Sequence, residues 1–196
     1  MNRLSISPLF TVASLRAVEL TDSDIALLQQ FFDANPEYFQ SVTGLPARSN
    51  EAVEEFRDLP PAGMTYNRRL QIGFFDESGA MVAMAGVLGE FIAESVWHIG
   101  LFVVATAMHG NGMAPMIYRE LEGWMRNEGA QWIRLGVVQG NTRAERFWEK
   151  MGYREVRTRP GVEMGSRVNT LRVMAKSLAG SELKEYLARV VRDRPD

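Results

Sequence analysis

The apolar run at residues 96–104 is followed by a glycine-containing segment at 109–114 and then by a strongly periodic amphipathic stretch. A nearly continuous apolar run predicts a buried central strand. Apolar side chains that recur every three to four residues after Gly112 predict a helix, which Gly129 ends. The first N–H groups of a helix lack partners, and the helix dipole there favours an anion. The sequence therefore predicts a phosphate-binding loop at 110–115.

The next apolar segment, 132–138, is rich in β-branched residues and predicts another strand. Strand, helix and strand in this order indicate a βαβ unit with one parallel pair. Alternation and helical spacing elsewhere predict further elements. The predicted strands are 15–20, 70–75, 81–88, 153–157 and 171–176, and the predicted helices are 22–34, 49–59, 141–151 and a C-terminal amphipathic one.

Two segments are predicted to lack regular structure. Asn35 and Pro36 end the first helix, which leaves residues 37–39 as a connecting segment that carries two aromatic side chains. Residues 160–169 contain proline and glycine between two strands and are expected to form a long loop.

Composition limits the function classes. At 196 residues the chain is expected to form a single domain at 1–180, followed by an amphipathic helix and tail at 181–196. That helix is expected either to form an interface, such as a homodimer contact, or to cover part of the core. The absence of cysteine excludes disulfides, thiolate zinc sites and a cysteine nucleophile, and with only two histidines we expect no multi-histidine metal site. A net charge of −2 gives no basic field for nucleic acid. No apolar stretch suits a membrane span or a signal peptide at 1–8, so we expect a cytoplasmic protein.

Three motifs in order resemble one family. They are the strand end 102–104, the loop His109-x-x-Gly112-x-Ala114, and the segment from Asn141 to Tyr153 with Ala144, Phe147, Trp148 and Gly152. Together they resemble the GCN5-related N-acetyltransferase (GNAT) family over residues 15–176. The resemblance implies an α/β fold of the α+β type. Its mixed, mostly antiparallel sheet would have about six to seven strands, flanking helices and one parallel βαβ unit.

The resemblance also implies acetyl-CoA as co-substrate. Backbone N–H groups of the loop would bind the pyrophosphate, and the central strand would separate from its neighbour near 102–104 to pair with the pantetheine arm. Asn141 would hydrogen-bond that arm, and Phe147 and Trp148 would flank the thioester. The expected cofactor-binding residues are Phe102, Val103, Val104, His109, Gly110, Asn111, Gly112, Met113, Ala114, Pro115, Asn141, Phe147 and Trp148.

Acetyl transfer in the family proceeds by direct attack of an amine on the thioester, which calls for a general base. His98, four residues before Phe102, is the candidate base, and the Val103 N–H is the candidate oxyanion donor. Two residues depart from the family pattern. His109 replaces arginine or glutamine, and Trp148 stands where the family often has a general-acid tyrosine. Coenzyme A would then leave as the thiolate, or another group would protonate it.

The acceptor is expected to be a primary amine of a small molecule or peptide. Tyr38, Phe39, Glu94 and Arg167 are the candidate substrate residues, because the connections that carry them vary with substrate in such folds. The acidic side chains of Glu37, Glu90 and Glu94 would suit a cationic amine.

Alternatives stay open at the level of the sequence. Instead of acting as a base, His98 would be a hydrogen-bonded residue of a strand. Asn141 would only cap the N-terminus of a helix, and Phe147 and Trp148 would only pack in the core. Because of Trp148, a non-catalytic acyl-CoA-binding or sensor protein of the same fold is the alternative function. A dinucleotide-binding module needs Gly-x-Gly-x-x-Gly, and Pro115 breaks that pattern. A P-loop lacks its Gly-Lys-Ser/Thr.

Overall fold

The computed structural model describes residues 7–195. Residues 1–6 and Asp196, which our predictions for the N-terminus and the tail include, lie outside that range. The strands are β1 (Phe10–Val12), β2 (Leu15–Glu19), β3 (Arg68–Phe75), β4 (Met81–Gly89), β5 (Val96–Val104), β6 (Trp132–Val138), β7 (Arg154–Met164) and β8 (Arg167–Ser177). The helices are α1 (Ile25–Ala34), α2 (Pro36–Thr43), α3 (Glu51–Arg57), α4 (Met113–Asn127), α5 (Thr142–Lys150) and α6 (Leu183–Arg189).

The described strands form one sheet in the order β1-β2-β3-β4-β5-β6-β8-β7. All neighbours are antiparallel except β5 and β6, which α4 connects as a parallel pair. This confirms the predicted mixed, mostly antiparallel sheet with one βαβ unit. The strand number is eight rather than six to seven, because the short β1 pairs with β2 through Phe10, Thr11 and Val12.

Helices cover both faces of the sheet because successive side chains of a strand point to opposite sides. On one face, α4 buries Ile117, Leu121 and Met125, and α5 adds Trp148 to the same core cluster, with Met151 directly after the helix. On the other face, α1 and α2 bury apolar side chains against β2, β4 and the second half of β5. The helix α6 packs further along that second face, against β6 and β8.

The predicted connecting segment at 37–39 is wrong, since these residues lie in α2. Pro36 is the first residue of this helix, where its missing N–H costs nothing and its fixed φ suits a helix. Gly44, at φ 78°, ends it in the left-handed conformation. The proline that stops α1 therefore also begins α2, so Tyr38 and Phe39 are positioned by a helix.

The predicted loop at 160–169 is also wrong. β7 and β8 form a long hairpin in which Met164 pairs with Arg167. Pro160 and Gly161 are accommodated by a register shift between Arg159 and Val162. Proline is tolerated there because β7 is the edge strand, whose outer side needs no N–H donor.

The C-terminal segment is fixed to the sheet by a buried ion pair. Arg134 on β6 donates from Nε and Nη2 to the two carboxylate oxygens of Asp193, at 2.7 and 3.1 Å. The Tyr186 hydroxyl donates to the same carboxylate at 2.6 Å. Asp193 is 1% exposed, and Tyr186 and Val190 pack against Trp132. The apolar side of α6, which suggested a dimer contact, is thus used within the chain.

We expect Asp193→Ala to lower the free energy of unfolding by about 3–5 kcal/mol, because it leaves the Arg134 guanidinium buried and unpaired. Urea unfolding measures the difference. The exposed pair of Lys184 with Glu182 gives the control, since Lys184→Gln should cost about 0–1 kcal/mol.

The pH dependence of that difference checks the cause. Burial by itself would raise the pKa of Asp193, but the Arg134 guanidinium outweighs burial and lowers it. The contribution of the ion pair is therefore present above the pKa of the unfolded carboxyl, ~3.9, and is lost as pH falls below it. The wild-type and Asp193→Ala proteins should converge in acid. A difference that stays constant through that range would contradict the ion-pair account.

Candidate active site

The two parallel strands separate halfway along their length. β5 and β6 pair from Val96 with Trp132 to Ile99 with Leu135, and beyond this point residues 100–104 and 136–138 remain strands without pairing to each other. Gly100 is passed over in the register of β5 with β4, where Gly86 pairs with Leu101 and Val87 with Ile99. The facing edges of the two strands are therefore free to hydrogen-bond a ligand.

A cleft of about 950 Å³ opens at this separation. The diverging strands form its floor, and the loop before α4 and the start of α5 close one end. α2 lies beside that end, where Glu37 and Ser41 approach the loop and α5, and α3 borders the cleft farther along. Of the predicted cofactor residues, those that line the cleft are Phe102, Val103, Val104, His109, Gly110, Gly112, Ala114, Pro115, Asn141, Phe147 and Trp148. Asn111 and Met113 belong to the same loop but do not line the cleft.

The loop before α4 depends on two glycines. Gly110 has φ 81° and Gly112, the N-cap of α4, has φ 84°, a region that side chains with a Cβ disfavour. The Asn111 side chain accepts a hydrogen bond from the Met113 N–H at 3.1 Å. Within residues 7–195 the N–H groups of Gly110 and Gly112 have no partner. The loop and helix start therefore offer free donors to an anion.

His109 ties this loop to the end of the central strand. Its Nε2 lies 2.8 Å from the Val104 carbonyl oxygen, which can only accept, so Nε2 carries the proton. Nδ1 lies 3.7 Å from the Glu37 carboxylate. His109 thus positions the loop through a backbone contact.

Aromatic rings form one wall of the cleft. The Phe147 ring stacks on Phe102 at 6.0 Å, and Trp148 lies between Phe102 and Tyr118 at centroid distances of 5.7 and 5.3 Å. Trp148 is 8% exposed and belongs to the core cluster. The indole thus has a packing role and provides no proton donor of the phenol type.

Asn141 caps α5 and bridges to α2. Its Oδ1 accepts from the Ala144 N–H at 3.2 Å, and its Nδ2 donates to the Ser41 hydroxyl at 3.3 Å. The N-cap alternative is therefore present in the structure, at a position that also lines the cleft.

His98 sits on the second face of the sheet, where the strands begin to separate. Its Nδ1 lies 3.0 Å from the Arg134 carbonyl oxygen, so Nδ1 carries the hydrogen and Nε2 is left as an acceptor. The Phe91 ring stacks on it at 4.6 Å. Burial, together with the nearby Arg134 guanidinium, lowers the pKa of His98 to about 3. The ring is therefore neutral at physiological pH and only weakly basic.

The predicted substrate residues lie in different places. Tyr38 lines the cleft, whereas Phe39 is buried in the core against Phe32. Arg167 donates to the Ser41 carbonyl oxygen at 2.8 Å, and neither it nor Glu94 lines the cleft. Among the three acidic candidates, Glu37 lines the cleft and Glu90 accepts from the Ser95 N–H.

Several cleft residues were missed by the sequence analysis. They line the part of the cleft that lies on the second face of the sheet, and they are Glu55, Gln71, Arg134 and Arg159. Burial raises the pKa of Glu55 to about 7. A signal for Glu55 was present, because it follows the buried Ala52 by three residues and so lies on the inner side of α3.

A protein-family model described as the acetyltransferase (GNAT) family matches residues 28–153. This range contains the cleft floor, the glycine loop and α5, and it covers more than half of the chain. No curated protein sequence matches the chain.

Solved structures of acetyltransferases share the fold. An acetyltransferase from Thermus thermophilus is 19% identical, with a TM-score of 0.68 over 86% of this chain and 100% of that one. The ribosomal-protein-S18-alanine N-acetyltransferase of Escherichia coli is 14% identical, with a TM-score of 0.62 over 86% and 96%. The spermidine N-acetyltransferase of Vibrio cholerae, in complex with CoA and spermine, is 16% identical, with a TM-score of 0.62 over 84% and 96%. At these identities the likeness establishes the fold.

We expect Gly112→Ala to destabilise the protein by about 1–2 kcal/mol, because alanine must adopt a positive φ there. Gly123 in the middle of α4 is the matched control, since a Cβ added to it meets nothing within 4 Å. Gly123→Ala should stabilise by about 0.5–1 kcal/mol. Urea unfolding of both variants measures the two effects, and equal changes would contradict the conformational requirement at Gly112.

Proposed function

The chain belongs to the GNAT acetyltransferase family, and we propose that it transfers an acetyl group from acetyl-CoA to a primary amine of a small molecule or peptide. The observation that carries this proposal is the separation of β5 from β6 beside the glycine loop. It combines free strand edges with free N–H donors at a helix start. A pantetheine arm and a pyrophosphate require these two kinds of partner.

Acetyl-CoA would be held mainly by backbone groups. The loop 110–115 would bind the pyrophosphate through the N–H groups of Gly110 and Gly112, and residues 102–104 would pair with the amide groups of the arm. Phe102 and Phe147 would flank the thioester, and Asn141 would stand beside the arm. Because these contacts use backbone donors, the replacement of the usual arginine or glutamine by His109 should weaken binding only modestly.

The reaction would be a direct attack. The nitrogen of the neutral amine bonds to the thioester carbon, the C–S bond breaks, and the sulfur leaves with the electron pair. The Val103 N–H is proposed to donate to the developing oxyanion. Because Trp148 has no acidic proton, we propose that coenzyme A leaves as the thiolate, which a thiol pKa of ~8.5 permits.

The general-base role predicted for His98 fits its position in the cleft but not its basicity. A group whose pKa is about 3 has little affinity for a proton at neutral pH, so it would be a poor acceptor of the proton that the amine loses. We therefore propose that Nε2 of the neutral ring accepts a hydrogen bond from the amine or from a water molecule. His98 would then orient the nucleophile, and the proton would be held elsewhere.

Location and assembly are separate proposals. No helix within residues 7–195 has the length and apolarity to cross a bilayer. We keep a cytoplasmic location and a homodimer as predictions, with neither nucleic acid nor membrane as partner. α6 no longer supports the dimer, because Tyr186 and Val190 are buried within the chain.

Calorimetric titration tests the cofactor. The protein should bind acetyl-CoA and coenzyme A in the micromolar range and should not bind NAD. Ala114→Glu places a carboxylate in the loop, and repulsion by the phosphates should weaken binding at least tenfold, which is about 1.4 kcal/mol. Ala179→Glu makes the same charge change in an exposed segment outside the cleft and should have no effect.

Two outcomes would contradict the proposal. Absence of acetyl-CoA binding would remove the cofactor. Binding without thiol release in the presence of any amine would favour the non-catalytic acyl-CoA-binding or sensor alternative, which Trp148 first suggested.

Paired variants test the role of His98. His98→Gln keeps an amide acceptor close to the position of Nε2 and should retain most of kcat/KM, whereas His98→Ala should lose most of it. Loss of a general base would instead cost both variants about 10²–10⁴-fold. Acetylation assays with saturating acetyl-CoA distinguish the two, and acetyl-CoA affinity should be unchanged in both.

A further inference from the structure

Inside the cleft, on the second face of the sheet, two side-chain oxygens lie close together above a glycine. Glu55 Oε1 and Gln71 Oε1 each lie 3.0 Å from the position that a Cβ on Gly86 would take. Any larger residue at position 86 would crowd both. Gly86 pairs with Leu101, the first residue after the bulge at Gly100, so these oxygens stand where β5 leaves β6.

Gln71 has an acceptor that the fold does not use. Its Nε2 donates to the Glu55 carboxylate and to the Glu55 backbone carbonyl, both at 2.9 Å. Its Oε1 is buried and has no hydrogen-bond partner among the described residues, in a residue that is 5% exposed. A buried acceptor without a donor is costly, which points to a donor that a ligand brings.

The charged groups around this pair define the ligand. Glu51 on α3, Asp58 directly after α3 and Tyr38 on α2 add only negative or neutral groups. Arg69 on β3 is the facing cation, but its guanidinium donates to the backbone carbonyl oxygens of Glu55 and Phe56. The carboxylate and the unpaired amide oxygen are left facing the cleft, and two convergent acceptors suit a positively charged N–H donor.

We propose that Glu55 and Gln71 form the seat for the amino group of the acceptor and that Glu55 takes the proton which its ammonium must lose. This inference rests on the proposed function, because it assigns the acceptor half of the same cleft. The substrate class that follows is a primary amine that arrives as the ammonium ion. Gln71 Oε1 orients it, and Glu55 supplies the opposite charge.

The step balances. The ammonium gives one proton to the Glu55 carboxylate, and the lone pair this frees forms the bond to the thioester carbon. The C–S bond breaks, and its electrons leave on the sulfur. The second nitrogen proton passes to the thiolate or to water as the amide forms. Glu55 then returns its proton to solvent.

The pH profile of kcat/KM tests the base. Burial places the pKa of Glu55 near 7, so the active carboxylate forms as pH rises and kcat/KM should increase through about pH 7. Glu55→Gln should lose this increase and lower kcat/KM by about 10²–10⁴-fold. Glu54→Gln makes the same charge change one residue away, outside the cleft, and should keep both the rate and the profile.

Gln71→Met separates positioning from proton transfer. It removes the free acceptor while keeping an unbranched side chain of similar length. It should raise the KM for the amine more than it lowers kcat. The increase of kcat/KM with pH should remain but move to higher pH, because the lost hydrogen bond from Gln71 Nε2 lowers the pKa of Glu55 in the wild type. An unchanged KM would overturn the role of Gln71. A profile that persists in Glu55→Gln would overturn the role of Glu55.

Amine binding gives a readout that does not depend on turnover. We would titrate spermidine, n-butylamine and a peptide with an N-terminal alanine into the protein at pH 6, in two buffers of different ionisation enthalpy. Binding of an ammonium beside a protonated Glu55 should release a proton, and Glu55→Gln should bind more weakly without that release. Absence of amine binding, or equal binding by both proteins, would overturn the seat. The acetyl-CoA titration is separate, so a failure there would count against the proposed function alone.

Discussion

The site depends on the loss of pairing between β5 and β6 after Ile99 and Leu135. A parallel pair needs a crossover, and α4 supplies it from the carboxyl end of β5. The loop that starts α4 therefore lies at the same end as the separation. Free strand edges and free helix N–H groups are thus brought together by one topological feature, as in other folds that bind ligands at the carboxyl ends of parallel strands.

The part of the cleft formed by β5, the glycine loop and the start of α4 could be predicted because its residues are contiguous. Residues 96–115 contain strand, glycine loop and helix start, and each part has a local signal. The failures at 37–39 and 160–169 both involve proline. Pro36 suits the first turn of a helix as well as a helix end, and Pro160 suits an edge-strand bulge as well as a loop. Only the tertiary position of the segment decides between these alternatives.

The proposed acceptor side could not be predicted in the same way, because it is assembled from distant segments. Glu55, Gln71 and Gly86 come from α3, β3 and β4, and they meet only when the hairpin places Gln71 opposite Gly86. Their chemistry is also set by burial, which no local pattern shows. The intrinsic pKa of histidine suggested a base at His98, whereas the fold lowers the pKa of His98 to about 3 and raises that of Glu55 to about 7.

The C-terminal segment also affects the charged groups that line the cleft. The Arg134 guanidinium disfavours a second positive charge on His98, and Asp193 offsets part of that effect while holding Arg134 in place. An arginine beside the cleft without its carboxylate would be an unpaired buried cation that repels an incoming ammonium. The ion pair with Asp193 neutralises the Arg134 guanidinium. The segment after α6 thus stabilises the fold and removes one unpaired positive charge from the side of the cleft where we propose that the ammonium lies.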